Sequence, residues 1–174
     1  LGASGFDQAL EMVAEVYRRA GEMMARRGRL SGVADEGGWW PDFASNEEAL
    51  ETLAQAIVAA GFNAPAQMAI SLDVAASEFG SGGRYRLGLE GIELDRDAWL
   101  NMLTDWVRRY PIVSVEDPVA EDDAEGMHAF TAEVGDRIQV IGDDFLVTSE
   151  ERVRAAIADR SCNAVLVKPN QAGT

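Results

Sequence analysis

The chain has 174 residues, including 30 Asp or Glu and 15 Lys or Arg, and its formal net charge at pH 7 is −15. Such an acidic chain is a poor partner for nucleic acid or an anionic membrane surface, because both are bound mainly through Lys and Arg. Cys162 is the single cysteine, so no disulfide can form within the chain, which suits the reducing cytoplasm. No apolar run approaches the roughly 18 residues of a membrane-spanning helix.

The N-terminal part of the chain is predicted to hold two helices separated by an irregular loop. Residues 6–27 form the first helix, and Ser45 with Glu48 three residues later makes a capping box that starts a second one, ending near Gly61. Between them, residues 33–41 read VADEGGWWP and show no period. The apolar positions of the first helix are expected to face the core: Leu10, Val13, Val16 and Tyr17.

Four short apolar runs, each ending on a charged residue, are predicted to be parallel β-strands. They are MAISLD ending at Asp73, PIVSVE ending at Glu116, IQVIGD ending at Asp143 and AVLVK ending at Lys168. The intervals between these ends are long enough for a helix and two loops, and such strands are typical of a parallel sheet buried on both faces. The rhythm is that of a β/α barrel, in which functional groups lie at the C-terminal ends of the strands.

The segments between these runs are predicted to be mainly helical. Helices are expected over residues 94–110, 122–134 and 148–159, the first capped by Asp95 and the last by a capping box that starts at Thr148. A small β excursion is expected in the glycine-rich segment after the first strand. The apolar stripe of the first of these helices is expected to be core: Trp99, Leu103, Trp106 and Val107.

The chain is too short to form a complete β/α barrel. An eight-stranded β/α barrel typically needs about 250 residues, and four strand–helix steps do not close one. The chain begins with Leu1 rather than Met and ends at Thr174, six residues after the end of the last predicted strand at Lys168. We therefore interpret it as a piece of a longer protein.

The acidic strand ends point to metal chemistry. Asp73, Glu116 and Asp143 would converge on one edge of the sheet, and such hard oxygen ligands, completed by water, suit Mg²⁺. Lys168 would lie beside the cation, where burial and the positive charge would lower its pKa and let it act as a general base. The alternatives are that these acids cap helices or pair with arginines, and that Lys168 simply pairs with Asp143.

The loop sequence DEGG at residues 35–38 adds a candidate acid. Its tandem glycines allow unusual φ angles and close backbone approach. Glu36, held in such a loop, can protonate a leaving hydroxyl. The alternative interpretation is a plain turn.

Five segments of the chain resemble, in order and spacing, the signature segments of the enolase (phosphopyruvate hydratase) family. They are DEGG at 35–38, SLDVAASEF at 71–79, YPIVSVEDPVAEDD at 110–123, VIGDDFLVTS at 140–149 and LVKPNQAGT at 166–174. The resemblance covers essentially the whole chain. It implies that residues 1–174 are the middle of that family's C-terminal (β/α)8 barrel domain, an α/β fold, with the N-terminal α+β domain and the remaining barrel strands absent.

The resemblance also implies a role for each site residue. Asp73, Glu116 and Asp143 would hold the Mg²⁺ that binds the substrate carboxylate, and a second Mg²⁺ would arrive with the substrate. Lys168 would take the proton from C2 of 2-phosphoglycerate, and Glu36 would help the C3 hydroxyl leave. Glu116, Asp143 and Lys168 would also contact the substrate. The implied activity is a lyase of glycolysis, reversible in gluconeogenesis, that yields phosphoenolpyruvate in a cytoplasmic dimer or octamer.

One departure from the family pattern leaves other functions open. Trp39 and Trp40 follow DEGG, where the family usually has one aromatic or aliphatic residue and then alanine. This leaves room for an enolase-like lyase acting on another phospho- or phosphono-carboxylate. A non-catalytic scaffold derived from an enolase is a further alternative, although the five matching site residues argue against it. The phosphate-binding groups of the family are expected outside this chain, so the isolated piece is expected to be inactive.

Overall fold

In the computed structural model, which describes residues 1–172, the chain forms two units, one of residues 1–70 and one that begins at Ser71. The first unit consists of two helices and a two-stranded antiparallel hairpin. Its elements are α1 (Phe6–Arg26), β1 (Leu30–Val33), β2 (Trp39–Pro41) and α2 (Asn46–Ala59).

Helix α1 packs against α2 through a face that the sequence prediction identified only in part. Val16 is buried as expected, but Leu10 is 54% exposed and Val13 is 57% exposed, and Tyr17 is also exposed. The helix has two apolar stripes, and the buried one has a residue at every fourth position: Met12, Val16, Ala20 and Met24. Periodicity alone does not distinguish between two stripes on one helix.

The second unit alternates strands and helices after a small antiparallel sheet. Its elements are β3 (Ile70–Asp73), which begins at the last residue of the first unit, a short 3-10 helix (Ala76–Glu78), β4 (Gly80–Ser81), β5 (Arg84–Leu87), β6 (Ile92–Asp95), α3 (Arg96–Arg109), β7 (Ile112–Glu116), α4 (Ala124–Val134), β8 (Gln139–Gly142), α5 (Glu150–Asp159), β9 (Ala164–Val165) and α6 (Pro169–Ala172). The excursion expected after the first strand is the antiparallel sheet β4–β5–β6.

The four predicted strands form one sheet in the order β3–β7–β8–β9. Strands β7 and β8 are parallel, with Val115 opposite Val140, and β8 and β9 are parallel, with Ile141 opposite Ala164. Helices follow β7, β8 and β9, as in a β/α barrel. The predicted α/β fold is confirmed, and over residues 1–172 the sheet remains open at both edges.

The helix caps show how side chains set the element boundaries. The Ser45 hydroxyl accepts a hydrogen bond from the Glu48 N–H, and the Asp95 carboxylate accepts one from the Ala98 N–H, as predicted. The prediction for Thr148 was wrong, because Ser149 caps α5 instead. Thr148 has a φ of +54° and uses its hydroxyl elsewhere, as described below.

The core of the second unit lies between α3 and the strands. The predicted stripe of α3 is buried as expected: Trp99, Leu103, Trp106 and Val107. Trp99 stacks on Tyr85 with 5.6 Å between ring centroids, and its Nε1–H donates to the Pro118 carbonyl oxygen at 2.8 Å. This contact ties the loop that follows β7 to the core.

Candidate active site

Three acidic residues lie at the carboxyl ends of neighbouring strands, as the sequence predicted: Asp73 and Glu116 are the last residues of β3 and β7, and Asp143 directly follows β8. The last strand is shorter than predicted, because β9 ends at Val165 and Lys168 lies three residues beyond it. The hydrogen bonding between β3 and β7 continues to this edge, because the Val74 N–H donates to the Glu116 carbonyl oxygen at 3.0 Å. Parallel pairing therefore brings their backbones to one edge of the sheet.

Three carboxylates meet at this edge. Glu116, Asp117 and Asp143 each offer an oxygen, and these oxygens lie within 4.8 Å of one another. Asp117 was not among the predicted residues. Alternation along a strand places neighbours on opposite faces, but the backbone leaves the strand at Asp117 with a φ of +42°. The only sequence signal for Asp117 is that it directly follows Glu116 at the end of an apolar run.

Asp117 organises the turn that carries Asp143. Its carboxylate accepts hydrogen bonds from the backbone N–H groups of Asp143 at 3.0 Å, Asp144 at 2.8 Å and Phe145 at 3.4 Å. The residue is only 3% exposed, and burial raises its pKa above the ordinary range although these backbone hydrogen bonds lower it. Because its oxygens already have donors, Asp117 is better suited to position Asp143 than to bind a cation.

Lys168 forms an ion pair with Asp143. Its ammonium contacts Oδ2 of Asp143, and Gln171 Nε2–H donates to Oδ1 of the same carboxylate at 2.9 Å. The Thr148 hydroxyl accepts the Lys168 backbone N–H at 2.9 Å and donates to Gln171 Oε1 at 2.9 Å. The hydroxyl expected to cap α5 therefore holds the segment that carries the lysine.

The ion pair shifts the pKa of Lys168 upward, because its hydrogen bond to Asp143 favours the ammonium form. The expected lowering depended on burial and on a bound divalent cation. Burial does not supply it, because the lysine side chain is 41% exposed and faces a carboxylate, and the effect of a cation stays a prediction. Burial tends to raise the pKa of Asp143, but the contacts with Lys168 and Gln171 outweigh it, and that pKa lies below its ordinary value.

Glu116 shows that this edge has an excess of negative charge. Burial, followed by the charges of Asp73, Asp143 and Asp117, raises the pKa of Glu116 to about 7, although Lys168 opposes the shift. A divalent cation would relieve this repulsion, and the donor set consists only of the hard carboxylate oxygens that such an ion prefers. Glu116 and Asp143 therefore fit a metal of the Mg²⁺ type.

The raised pKa of Glu116 predicts an unusual dependence of stability on pH. The unfolded glutamate has a pKa near 4.5 and the folded one near 7, so between these values the folded state binds more protons. The free energy of unfolding should therefore fall as pH rises from about 4.5 to about 7 and level off above that. Urea unfolding of the full-length protein in a chelator, across this range, measures it.

Glu116→Gln replaces the titrating carboxyl group by an uncharged amide of similar size. In this variant the free energy of unfolding should no longer fall between pH 4.5 and about 7. Mg²⁺ should flatten the same profile, because it favours the ionised carboxylate. A profile that is the same in the variant and in the wild type would contradict the assignment.

Asp73 takes a peripheral place at this edge. It is exposed, and the next residue, Val74, donates its N–H to the Glu116 carbonyl oxygen, so Asp73 lies beside the end of β7. Its charge also contributes to the raised pKa of Glu116. It is not a member of the group whose oxygens lie within 4.8 Å of one another. Its role as a metal ligand stays a prediction.

Glu36 lies in the first unit, in the turn between β1 and β2. Within this turn the Gly37 N–H donates to the Ala34 carbonyl at 2.9 Å, and the Ala34 N–H donates to the Gly38 carbonyl at 2.8 Å. Gly37 has a φ of +91°, the left-handed conformation expected of the tandem glycines. Glu36 is exposed, and its role as an acid stays a prediction.

A family model described as the enolase C-terminal TIM barrel domain matches residues 1–174. The chain belongs to this enolase domain family. The enolase of Rubrobacter xylanophilus is 42% identical over 174 residues, which is 100% of this chain and 40% of that relative. The resemblance seen in the five segments is thus confirmed, and the enolase domain described here spans about 40% of the length of the curated relative it matches.

A helix that spans a membrane needs about 20 predominantly apolar residues. None of the helices within residues 1–172 is both long enough and apolar enough to cross a bilayer.

Proposed function

We propose that the protein containing this domain is a Mg²⁺-dependent lyase that reversibly converts 2-phosphoglycerate into phosphoenolpyruvate and water. The observation that supports this most strongly is the group formed by Glu116, Asp143 and Lys168 at adjacent strand ends of an enolase domain. The proposal includes a place in glycolysis and gluconeogenesis, a cytoplasmic location, two Mg²⁺ per active site, and a homo-oligomer of dimer or octamer type.

The carboxylates of this edge would hold the metal. Glu116 and Asp143 are the principal ligands in the proposal, and Asp73 is the third. Bound there, Mg²⁺ would supply a Lewis acid that stabilises the negative charge developing on the substrate carboxylate. Asp117 would keep Asp143 in place through the three backbone N–H groups of its turn.

Lys168 would remove the proton from C2. The C2–H bond breaks, the proton goes to Nζ of the neutral amine, and the electron pair is left at C2. Lys168 is the only lysine of the chain, and the other Lys or Arg side chains are all arginine, which does not deprotonate in proteins. Since Asp143 raises the lysine pKa, the base form requires the Asp143 charge to be engaged by another cation.

Glu36 would complete the reaction as an acid. The electron pair at C2 forms the C2–C3 double bond, the C3–O bond breaks, and the departing hydroxide takes a proton from the Glu36 carboxyl to leave as water. Proton transfer is thus divided between the amine of Lys168 and the carboxyl group of Glu36, and each group returns to its starting state when the reaction runs backwards.

Metal binding gives the direct test of this proposal. In the full-length protein, Asp143→Asn should weaken Mg²⁺ affinity at least about tenfold, because it removes a ligand charge from the site. Titration calorimetry measures the affinity, and the absorbance of phosphoenolpyruvate measures turnover of 2-phosphoglycerate. Asp136→Asn, at an exposed residue of the second unit, is the control and should match the wild type.

The combination of results decides between the candidate functions. Mg²⁺ binding with turnover of 2-phosphoglycerate, both weakened by Asp143→Asn, supports the proposal. Mg²⁺ binding without phosphoenolpyruvate would contradict it and favour a lyase acting on another phospho- or phosphono-carboxylate. Trp40 is the observation behind that second candidate, because this large side chain is 60% exposed shortly after the Glu36 turn.

A further inference from the structure

Two aromatic side chains tie the Glu36 turn to helix α1. The Tyr17 hydroxyl donates to the Gly37 carbonyl oxygen at 2.7 Å, and the Trp39 Nε1–H donates to the Tyr17 carbonyl oxygen at 2.8 Å. The first of these bonds holds the residue that directly follows Glu36. The second holds the strand that leaves the turn.

The two rings also stack on each other, and a glycine makes room for them. Tyr17 and Trp39 have ring centroids 4.4 Å apart and an angle of 14° between planes. One helical turn after Tyr17, Gly21 lies under the indole, where an added Cβ would be 2.4 Å from Cζ2 of Trp39. Any larger residue at position 21 would therefore displace the tryptophan.

This packing explains two features of α1 that the proposed metal site and base do not explain. The exposed Tyr17 does not belong to the buried face of α1, and a glycine in a helix interior costs about 1 kcal/mol relative to alanine. Both are accounted for if α1 serves as the support of the hairpin turn. Exposed turns are otherwise among the least stable parts of a protein.

We propose that Tyr17 and Trp39, seated on Gly21, are positioning residues that hold the Glu36 turn in one conformation for proton transfer to the leaving hydroxyl. This inference rests on the proposed function for the role of Glu36. A carboxyl group on a restrained turn is presented to its substrate with less loss of conformational freedom than one on a mobile loop. The packing should therefore affect the step that uses Glu36 and spare the step that uses Lys168.

The test separates the two steps in variants of the full-length protein. Exchange of the C2 proton of 2-phosphoglycerate with deuterated water needs only the base, whereas formation of phosphoenolpyruvate also needs the acid. Gly21→Ala should lower the dehydration rate about 10- to 100-fold while C2 exchange continues. Gly32→Ala is the matched control and should leave both rates unchanged, because Gly32 lies in β1 and no atom of residues 1–172 is within 4 Å of an added Cβ.

Tyr17→Phe tests the hydrogen bond while keeping the stacked ring. Exchange of the Ala34 and Gly37 backbone amide protons, both bonded within the turn, should become about fivefold faster. Unchanged amide exchange, or an equal loss of C2 exchange and dehydration in Gly21→Ala, would overturn the inference. If the wild type carries out neither C2 exchange nor dehydration, both the proposed function and this inference are wrong. If both variants carry out C2 exchange and dehydration at normal rates, only the inference is wrong.

Discussion

Replacing Lys168 by alanine is expected to lower kcat of the full-length protein on 2-phosphoglycerate by about 10²- to 10⁴-fold, the usual contribution of a general base. The physical reason is that no arginine of the chain can replace the amine as proton acceptor. Exchange of the C2 proton with solvent should fall in the same proportion, because both processes begin with the same proton transfer. Initial rates of phosphoenolpyruvate formation and of C2 exchange measure the two effects.

Lys168→Arg is the informative companion to this variant. Arginine keeps the positive charge and can keep the ion pair with Asp143, but it stays protonated. If Lys168 is the base, the arginine variant should be as inactive as the alanine variant while its thermal stability stays close to that of the wild type. An active arginine variant would show that Lys168 serves only as the counter-ion of Asp143.

Replacing Asp117 by alanine is expected to lower the free energy of unfolding by about 3 kcal/mol, since it leaves buried or partly buried N–H groups without acceptors. The three affected groups belong to the turn that carries Asp143. Mg²⁺ affinity should fall as well, because Asp143 loses its support. Urea unfolding and titration calorimetry on the full-length protein measure the two quantities.

Asp136→Ala controls for the loss of one negative charge. Asp136 has an 83% exposed side chain, and among the described residues 1–172 its one ion pair is a long contact with Arg137. Its removal should therefore change stability by no more than about 0.5 kcal/mol. If Asp117→Ala cost no more than this control, the backbone hydrogen bonds of Asp117 would not be what stabilises the turn.

The strands could be predicted from the sequence because each belongs to a short continuous apolar run that stops at a charged residue near the sheet edge. The expected burial on both faces holds best for β7, whereas β3, β8 and β9 each keep exposed residues in the described part of the chain. Ser45 and Asp95 could be predicted as caps because a short polar side chain before an apolar period has few other uses. Glu116, Asp143 and Lys168 follow directly from these boundaries.

The remaining features depend on which partner a side chain meets, and periodicity does not contain that information. Asp117 joins the carboxylate group through a left-handed backbone conformation that no apolar pattern announces. The Lys168 pKa is raised because the nearest group is Asp143 rather than apolar surface. Thr148 and Ser149 are both acceptable caps, and the choice between them follows from the bonds of Thr148 to the lysine segment.

The solitary lysine has a consequence for the chemical labelling of this domain. Amine-directed acylating reagents find only one lysine side chain along residues 1–174 on which to act, and it is paired with Asp143. A lysine held as an ammonium against Asp143 is a poor nucleophile, whereas the free amine reacts readily. The rate at which Lys168 is acylated therefore reports whether Asp143 is engaged with the lysine or with another cation, without any substrate being turned over.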